Sequence, residues 1–301
     1  MLVNSFYSNG KLLLTGEYLV LDGATALALP TKFGQDLTLK KIDVPYIIWE
    51  SFDEKGNLWF QSKFELPTLK ADSNNKFVST LLNILKEAQI LNPKFLSDAS
   101  GLHVQTKLSF PKNWGLGTSS TLINNIAQWA NIDAFELLEN SFGGSGYDLA
   151  CAQNNSPIIY QIHDKMPSVE IVDFNPVFKD HLYFVYLNKK QDSKEGIIRY
   201  REFMGDTFAL SQEISQLTIL LLKCTDLMSF ENILEKHENL ISGIIKQRPV
   251  QQELFPDYFG QTKSLGAWGG DFILATGNSD TPSYFKNKGF EMVISYQDMI
   301  L

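Results

Sequence analysis

The sequence predicts an α+β protein of two domains. Three observations predict it. Short strands open the chain, a strand, a glycine-rich turn and a helix occupy residues 101–130, and two long helices precede a second glycine-rich turn that runs into apolar strands. The 301 residues are enough for two cores. The boundary is placed near residue 180, after Asn175-Pro176, giving domains 1–180 and 181–301.

Residues 1–40 read as strands: LLLTG, EYLVLD, ALALP and DLTLK, with turns at Gly16 and Gly23-Ala24. Lys11 lies at the entrance to the first, where a lysine is ordinarily a solvated strand-end charge. The segment 43–70 fits a hairpin around Asp53-Glu54-Lys55-Gly56-Asn57, its aromatics Trp49, Phe52, Trp59 and Phe60 serving as core. Residues 74–90 read as a helix capped by Asn74 or Asn75, with Phe77, Val78, Leu81, Leu82, Ile84 and Leu85 on its apolar face.

From 102 to 110, apolar residues alternate with His103, Gln105, Lys107 and Ser109, so a strand with one buried face leads into WGLGTSST. Pro111 ends it, and Thr118, Ser119 or Ser120 caps the following helix. IDAFELLEN forms another helix. Three glycines, Gly143, Gly144 and Gly146, then precede Asp148 at the mouth of the apolar LACA. Strands SPIIYQI, SVEIVDF and HLYFVYL, helices near 206–223 and 229–246, the turn in TKSLGAWGGDFILAT and a closing strand GFEMVISY complete the pattern.

Composition narrows the function. A net charge of −8, from 26 basic and 34 acidic residues, argues against a broad nucleic-acid or anionic-membrane surface, so an anionic ligand needs a local site. Cys151 and Cys224 are too few for a disulfide framework, which points to a reducing cytoplasm, and four scattered histidines lack the spacing of a zinc site. Charges at Lys11, Glu17 and Asp22 interrupt the apolar start, which therefore reads as core rather than as a signal or membrane segment.

WGLGTSST carries the chemistry. Small residues expose successive N–H groups where a helix begins, an arrangement suited to phosphate, although a Gly-Leu-Gly turn also simply joins a strand to a helix. A P-loop is excluded because its lysine is absent. The dinucleotide fingerprint fails at Ser120, where its third glycine belongs, and survives as a minor alternative through Asp133, which stands where a ribose-binding acid is expected. Asp148 reads either as a helix cap or as a carboxylate held for proton or metal chemistry.

Four stretches, in order, resemble motifs of the GHMP kinase family, which includes galactokinase, homoserine kinase, mevalonate kinase and phosphomevalonate kinase. NGKLLLTGEYLVLDG resembles P-G-K-x-x-L-x-G-E-[HY]-x-V-x-x-G, FPKNWGLGTSST the P-x-x-x-G-L-G-S-S-A loop, GSGYDLACA the G-S-G-x-D-x-A stretch, and SLGAWGGDFILA the late glycine motif. Together they span nearly the whole chain. The resemblance implies the two-domain GHMP kinase fold, an N-terminal mixed α/β domain with a C-terminal ferredoxin-like α+β domain. It also implies an ATP-dependent kinase using Mg²⁺.

By this resemblance Asp148 is the base and Lys11 the stabilising cation. The phosphates fall to Gly115, Leu116, Gly117, Thr118, Ser119 and Ser120. Ser119 and Glu136 ligate the metal, with Glu139 in reserve, because the aligned acid position falls on Leu137. Glu17, Tyr18, Gly266, Gly269 and Gly270 serve acceptor binding and closure. Asn9, Thr118, Ser120 and Trp268 depart from the motifs, and the large ring of Trp268 stands where the family keeps bare backbone.

The stretches look closest to mevalonate and phosphomevalonate kinases; Asp148 disfavours homoserine kinase, which has Asn there, and a galactokinase sugar signature is missing. The expected partner is an anionic small-molecule acceptor, without nucleic acid or membrane, and a homodimer is compatible. Lys189, Lys190, Lys194, Arg199 and Arg201 are either its counter-charges or a solvated face. The alternatives are an enzyme resembling diphosphomevalonate decarboxylase, or a non-catalytic ligand sensor on a kinase scaffold.

Overall fold

The computed structural model describes residues 4–98, 100–191 and 193–301; the side chain of Lys194 lies outside the described residues. The chain divides into two compact units. The first comprises Met1–Gly10, Phe33–Lys112 and Leu116–Gln153; the second comprises Lys11–Lys32, Asn113–Gly115 and Asn154–Leu301. Strands β1 (Asn4–Thr15) and β2 (Ala26–Ile42) each give residues to both, which is why neither unit is continuous in sequence. Position 180 lies in a 3-10 turn, Lys179–His181, within the second unit.

In the first unit β3 (Tyr46–Phe52) and β4 (Leu58–Glu65) form the expected hairpin, and β5 (Lys70–Ala71) extends it. Asp53 closes the turn, its carboxylate accepting from the N–H groups of Lys55 at 3.0 Å and Asn57 at 2.8 Å. Helix α1 (Lys76–Leu91) follows, capped by Asn75, whose side chain accepts from Phe77 and Val78. Strand β6 (Gly101–Leu108) lies between β3, to which it is parallel, and the end of β2, to which it is antiparallel.

Helices α2 (Thr118–Ala130), α3 (Ala134–Ser141) and α4 (Tyr147–Gln153) complete this unit. Trp49 and Phe64 of the sheet pack with Leu85 of α1, Ile123 of α2 and Leu137 of α3 in one core. Phe77, expected on the buried face of α1, is 62% exposed and meets the rings of Trp59 and Phe60.

In the second unit β7 (Ile158–His163) pairs antiparallel with Ala26–Ala28 of β2 and with β8 (Met166–Ile171). After β9 (Leu182–Tyr186) come the helices α5 (Ser193–Arg201), α6 (Thr207–Leu222), α7 (Leu227–Ile245) and α8 (Val250–Leu254). Strands β10 (Thr262–Ser264) and β11 (Phe272–Thr276), helix α9 (Thr281–Asn287), strand β12 (Val293–Ser295) and helix α10 (Tyr296–Met299) finish the chain. An antiparallel sheet runs in the order β10-β11-β9-β12.

Three local expectations are corrected. EYLVLD is not a strand: Leu19–Asp22 is a 3-10 turn, because Gly16, Tyr18 and Gly23 all take positive φ, which extended backbone excludes. ALALP and DLTLK belong to one continuous strand, β2, that passes through Pro30. The closing strand is shorter than GFEMVISY, as Ser295 turns the chain by capping α10. Among the described residues no helix is long and apolar enough to cross a membrane.

Leu85 is fully buried. Leu85→Ala should therefore destabilise the first unit by about 2–5 kcal/mol, read from the shift of its urea unfolding midpoint.

Candidate active site

Lys11, in the second half of β1, reaches across 104 positions of sequence: its ammonium donates to the Gly115 carbonyl at 3.1 Å. Gly115 takes φ 71°, a conformation glycine adopts without strain. The residues before it are held as well. The Tyr186 hydroxyl donates to the Asn113 carbonyl at 3.0 Å, and Trp114 stands edge-on to Phe272 with 5.3 Å between ring centres. Lys11, Trp114, Gly115, Gly266, Ala267 and Asp271 line one small recess of the second unit.

Asp271 was not anticipated. It follows Gly269 and Gly270 at the entrance to the fully buried strand β11, and an acid at the threshold of an apolar strand was the available signal. Its carboxylate occupies the space that a side chain on Gly115 would need. Burial pushes its pKa up, while the Gln191 N–H, donating at 3.1 Å, and the charges of Lys11 and Lys190 pull it back down.

Glu17 faces the interior instead of the recess. Its carboxylate pairs with Lys263 of β10, both without exposure, and His237 Nε2 lies 3.3 Å from its second oxygen. That same Nε2 accepts from the Gly16 N–H at 3.1 Å, consistent with a neutral ring whose pKa burial drives well below the usual histidine range, with Lys263 adding to the effect. Glu238 accepts from the Ser264 N–H at 2.9 Å, and burial raises its pKa to about 8. The Glu17 carboxyl is likewise raised by burial, against the pull of Lys263.

Tyr18, at φ 60°, accepts from the Trp268 N–H at 3.1 Å and stacks on Tyr200 with centroids 6.0 Å apart. The Trp268 ring is buried in the core formed by Tyr200, Ile214 and Ile241 and is not part of the recess lining. Of the three late glycines Gly266 lines the recess. A side chain on Gly270 would meet the Lys189 carbonyl and one on Gly269 the Gln247 amide. Arg201 is paired with Asp22 at 2.9 Å and Arg199 donates to the Gln247 side-chain amide oxygen at 3.0 Å, so two of the basic cluster have intramolecular partners.

The first unit carries the rest. Helix α2 has Gly117 at its N-cap in left-handed conformation, φ 93°, and no side-chain cap bond. The expected cap at Thr118, Ser119 or Ser120 is thus corrected: these residues form the first helical turn, and the Ser120 hydroxyl donates back to the Gly117 carbonyl at 2.9 Å. A buried network fixes the helix. Thr121 donates to the Gln35 side chain at 2.8 Å, Asn125 to the Gln35 carbonyl at 2.9 Å, and Ser8 to Asn125 at 2.7 Å.

Asp148 lies half-buried in the first turn of α4, directly after the left-handed Gly143, Gly144 and Gly146, and accepts from the Leu149 N–H at 3.0 Å. Asp133, the ribose acid of the dinucleotide alternative, is the N-cap of α3 and accepts from Phe135 and Glu136. Glu136 and Glu139 are exposed on α3, whereas Leu137 is core. Among the described residues no three His, Cys, Asp or Glu side chains group to hold a metal. Ser119, in the first turn of α2, and Glu136, exposed on α3, each carry an oxygen of the kind a magnesium ion takes.

No protein-family model and no curated protein matches the chain. Solved structures do. Mevalonate kinase of Methanococcus jannaschii superposes with TM-score 0.72 at 16% identity, over 96% of each chain. Streptococcus pneumoniae phosphomevalonate kinase, in complex with phosphomevalonate and AMPPNP, gives 0.71 at 16% identity, over 97% of this chain and 99% of that one. Lactococcus lactis galactokinase, complexed with galactose, gives 0.68 at 14% identity, over 95% and 88%. The chain has the GHMP kinase fold. On that GHMP kinase fold the recess around Gly115 and the buried Glu17–Lys263 pair are described by this chain's own side chains.

Lys263→Met should destabilise the protein by about 3–5 kcal/mol in urea unfolding, because it leaves Glu17 buried without its counter-charge, and a double variant with Glu17→Gln should recover part of the loss. Glu238 predicts a pH effect. Its folded pKa, about 8, exceeds the ordinary 4.5, so between those values the folded state binds the extra proton. Its contribution is full below the lower value and is lost as pH rises through the upper. Thermal melts from pH 5 to 8 should show wild type losing stability relative to Glu238→Gln.

Proposed function

We propose that this protein is an ATP-dependent small-molecule kinase that phosphorylates a mevalonate-type acceptor, mevalonate or phosphomevalonate, on its hydroxyl or phosphate. The observation that carries the proposal is the meeting of two motifs distant in sequence: the lysine of the first donates to the first glycine of the phosphate loop. The fold shared with mevalonate and phosphomevalonate kinases supports the reaction class. The motif stretches around Lys11 and Asp148 support the choice of acceptor, and a content of only two cysteines accords with a cytoplasmic setting.

In this proposal Asp148 takes the proton of the acceptor, whose oxygen bonds to the terminal phosphorus as the bond to the departing ADP oxygen breaks. Lys11 offsets the charge on the transferring phosphoryl group, and the backbone from Gly115 to Ser120 holds the phosphates. Ser119 and Glu136 would hold the magnesium ion, which supplies further charge compensation on the phosphates. Glu17 acts at a distance, through Lys263 and the Gly16 turn, and Tyr18 through Trp268. Gly266, Gly269 and Gly270 keep the late turn free of side chains. Residues 1–180 and 181–301 are the proposed domains.

A coupled ADP-release assay across mevalonate, phosphomevalonate, homoserine and galactose should give the highest kcat/KM with a mevalonate compound. Turnover confined to a sugar would reject that acceptor while keeping the kinase, and CO₂ released with ADP would mark a decarboxylase. Asp148→Asn should lower kcat about 10²- to 10⁴-fold with nucleotide binding retained. A ligand sensor would instead show no turnover in either form.

A further inference from the structure

We propose that Asp271 is a specificity residue of the phosphate recess, making it favour the metal complex of the nucleotide over the bare polyphosphate. This rests on the kinase proposal. Asp271 shares the recess with Lys11, and the two side chains approach Gly115 from different atoms: the ammonium at its carbonyl, the carboxylate where a side chain would start. An anion drawn to Lys11 therefore meets a carboxylate beside the same glycine.

That carboxylate is rigidly held. Asp271 has φ 52°, rare outside glycine, and is locked there by its N–H donating to the Lys189 carbonyl at 2.7 Å and its carbonyl accepting from Leu187 at 2.8 Å. Its side chain accepts from the Gln191 N–H at 3.1 Å. Lys190 also acts on it electrostatically, but that side chain belongs to an exposed residue, where water and salt weaken its field. The nearby Tyr186 phenol, raised by burial and by Asp271, is neutral and offsets none of the negative charge.

The consequence follows from charge. Bare AMPPNP carries about two more negative charges than its magnesium complex, so a fixed carboxylate beside the phosphates penalises the bare form more. The carboxylate also abuts the glycine directly, which excludes any larger residue at position 115.

The test is equilibrium binding of AMPPNP to the full chain, in Mg²⁺ and in EDTA, by calorimetry. Asp271→Asn retains an acceptor for Gln191 and tolerates the left-handed backbone. Expected is a gain of about tenfold or more in affinity for bare AMPPNP with a change below about threefold for the magnesium complex. An unchanged ratio of the two affinities overturns the proposal. So does a narrowing caused by loss of affinity for the complex, which would make Asp271 a metal ligand. If the Asn variant melts early, Asp271→Gly repeats the measurement without the charge. Wild type that binds AMPPNP in neither condition overturns the kinase proposal itself, whereas wild type that binds it with an unaltered ratio in the variant overturns only the role of Asp271.

Discussion

The second unit depends on what one residue lacks. Gly115 has no side chain, and the space thereby left is filled by the carboxylate of Asp271, while its carbonyl takes the ammonium of Lys11. Its φ of 71° turns the chain at the point where it passes from the segment Asn113–Gly115 to the next stretch. An alanine there would be strained twice, by its backbone angle and by overlap with a carboxylate that accepts from the Gln191 N–H and whose own backbone is bonded to Lys189 and Leu187. Strand β1, the loop at 113–115 and the late glycine turn are thus tied together through a residue with almost nothing to offer but room.

A second constraint is electrostatic. Lys263, Glu17, His237 and Glu238 are four ionisable residues with essentially no exposure, arranged so that one ammonium faces two carboxyl groups and a ring kept neutral. Desolvation is the leading cause of the shifts at Glu17, His237 and Glu238. The Lys263–Glu17 attraction offsets part of that cost, and the ammonium also donates to the Ser264 carbonyl. Such a cluster holds the Gly16 turn through His237, so the conformation of the first motif is set by residues from α7 and β10.

Much of the local structure was legible in the chain. The hairpin around Asp53, the Asn75 cap and the alternation of β6 follow from side-chain chemistry within a few residues, and each is found as expected. Failures came where tertiary partners decided. EYLVLD has a strand's composition, yet positive φ at Gly16, Tyr18 and Gly23 curls it into a turn stabilised by the Tyr18 contact with Trp268. The serines and threonine after Gly117 look like caps, yet one of them bonds backward and the helix starts a residue earlier. Trp268 looked like an obstruction in a glycine motif; its ring is core, because the helices of the second unit leave it a place to pack.

By itself the sequence determined the α+β class, the order of the glycine-rich turns, and which small, hydroxyl-bearing and acidic residues those turns carry, since these depend on periodicity and on motifs a few residues long. Only the tertiary structure decided that Lys11 reaches Gly115, that Glu17 turns inward to Lys263, and that Asp271 enters the recess at all. The reason is physical. Burial and through-space distance set both the charge a side chain carries and the partner it meets, and neither quantity is a property of neighbouring letters.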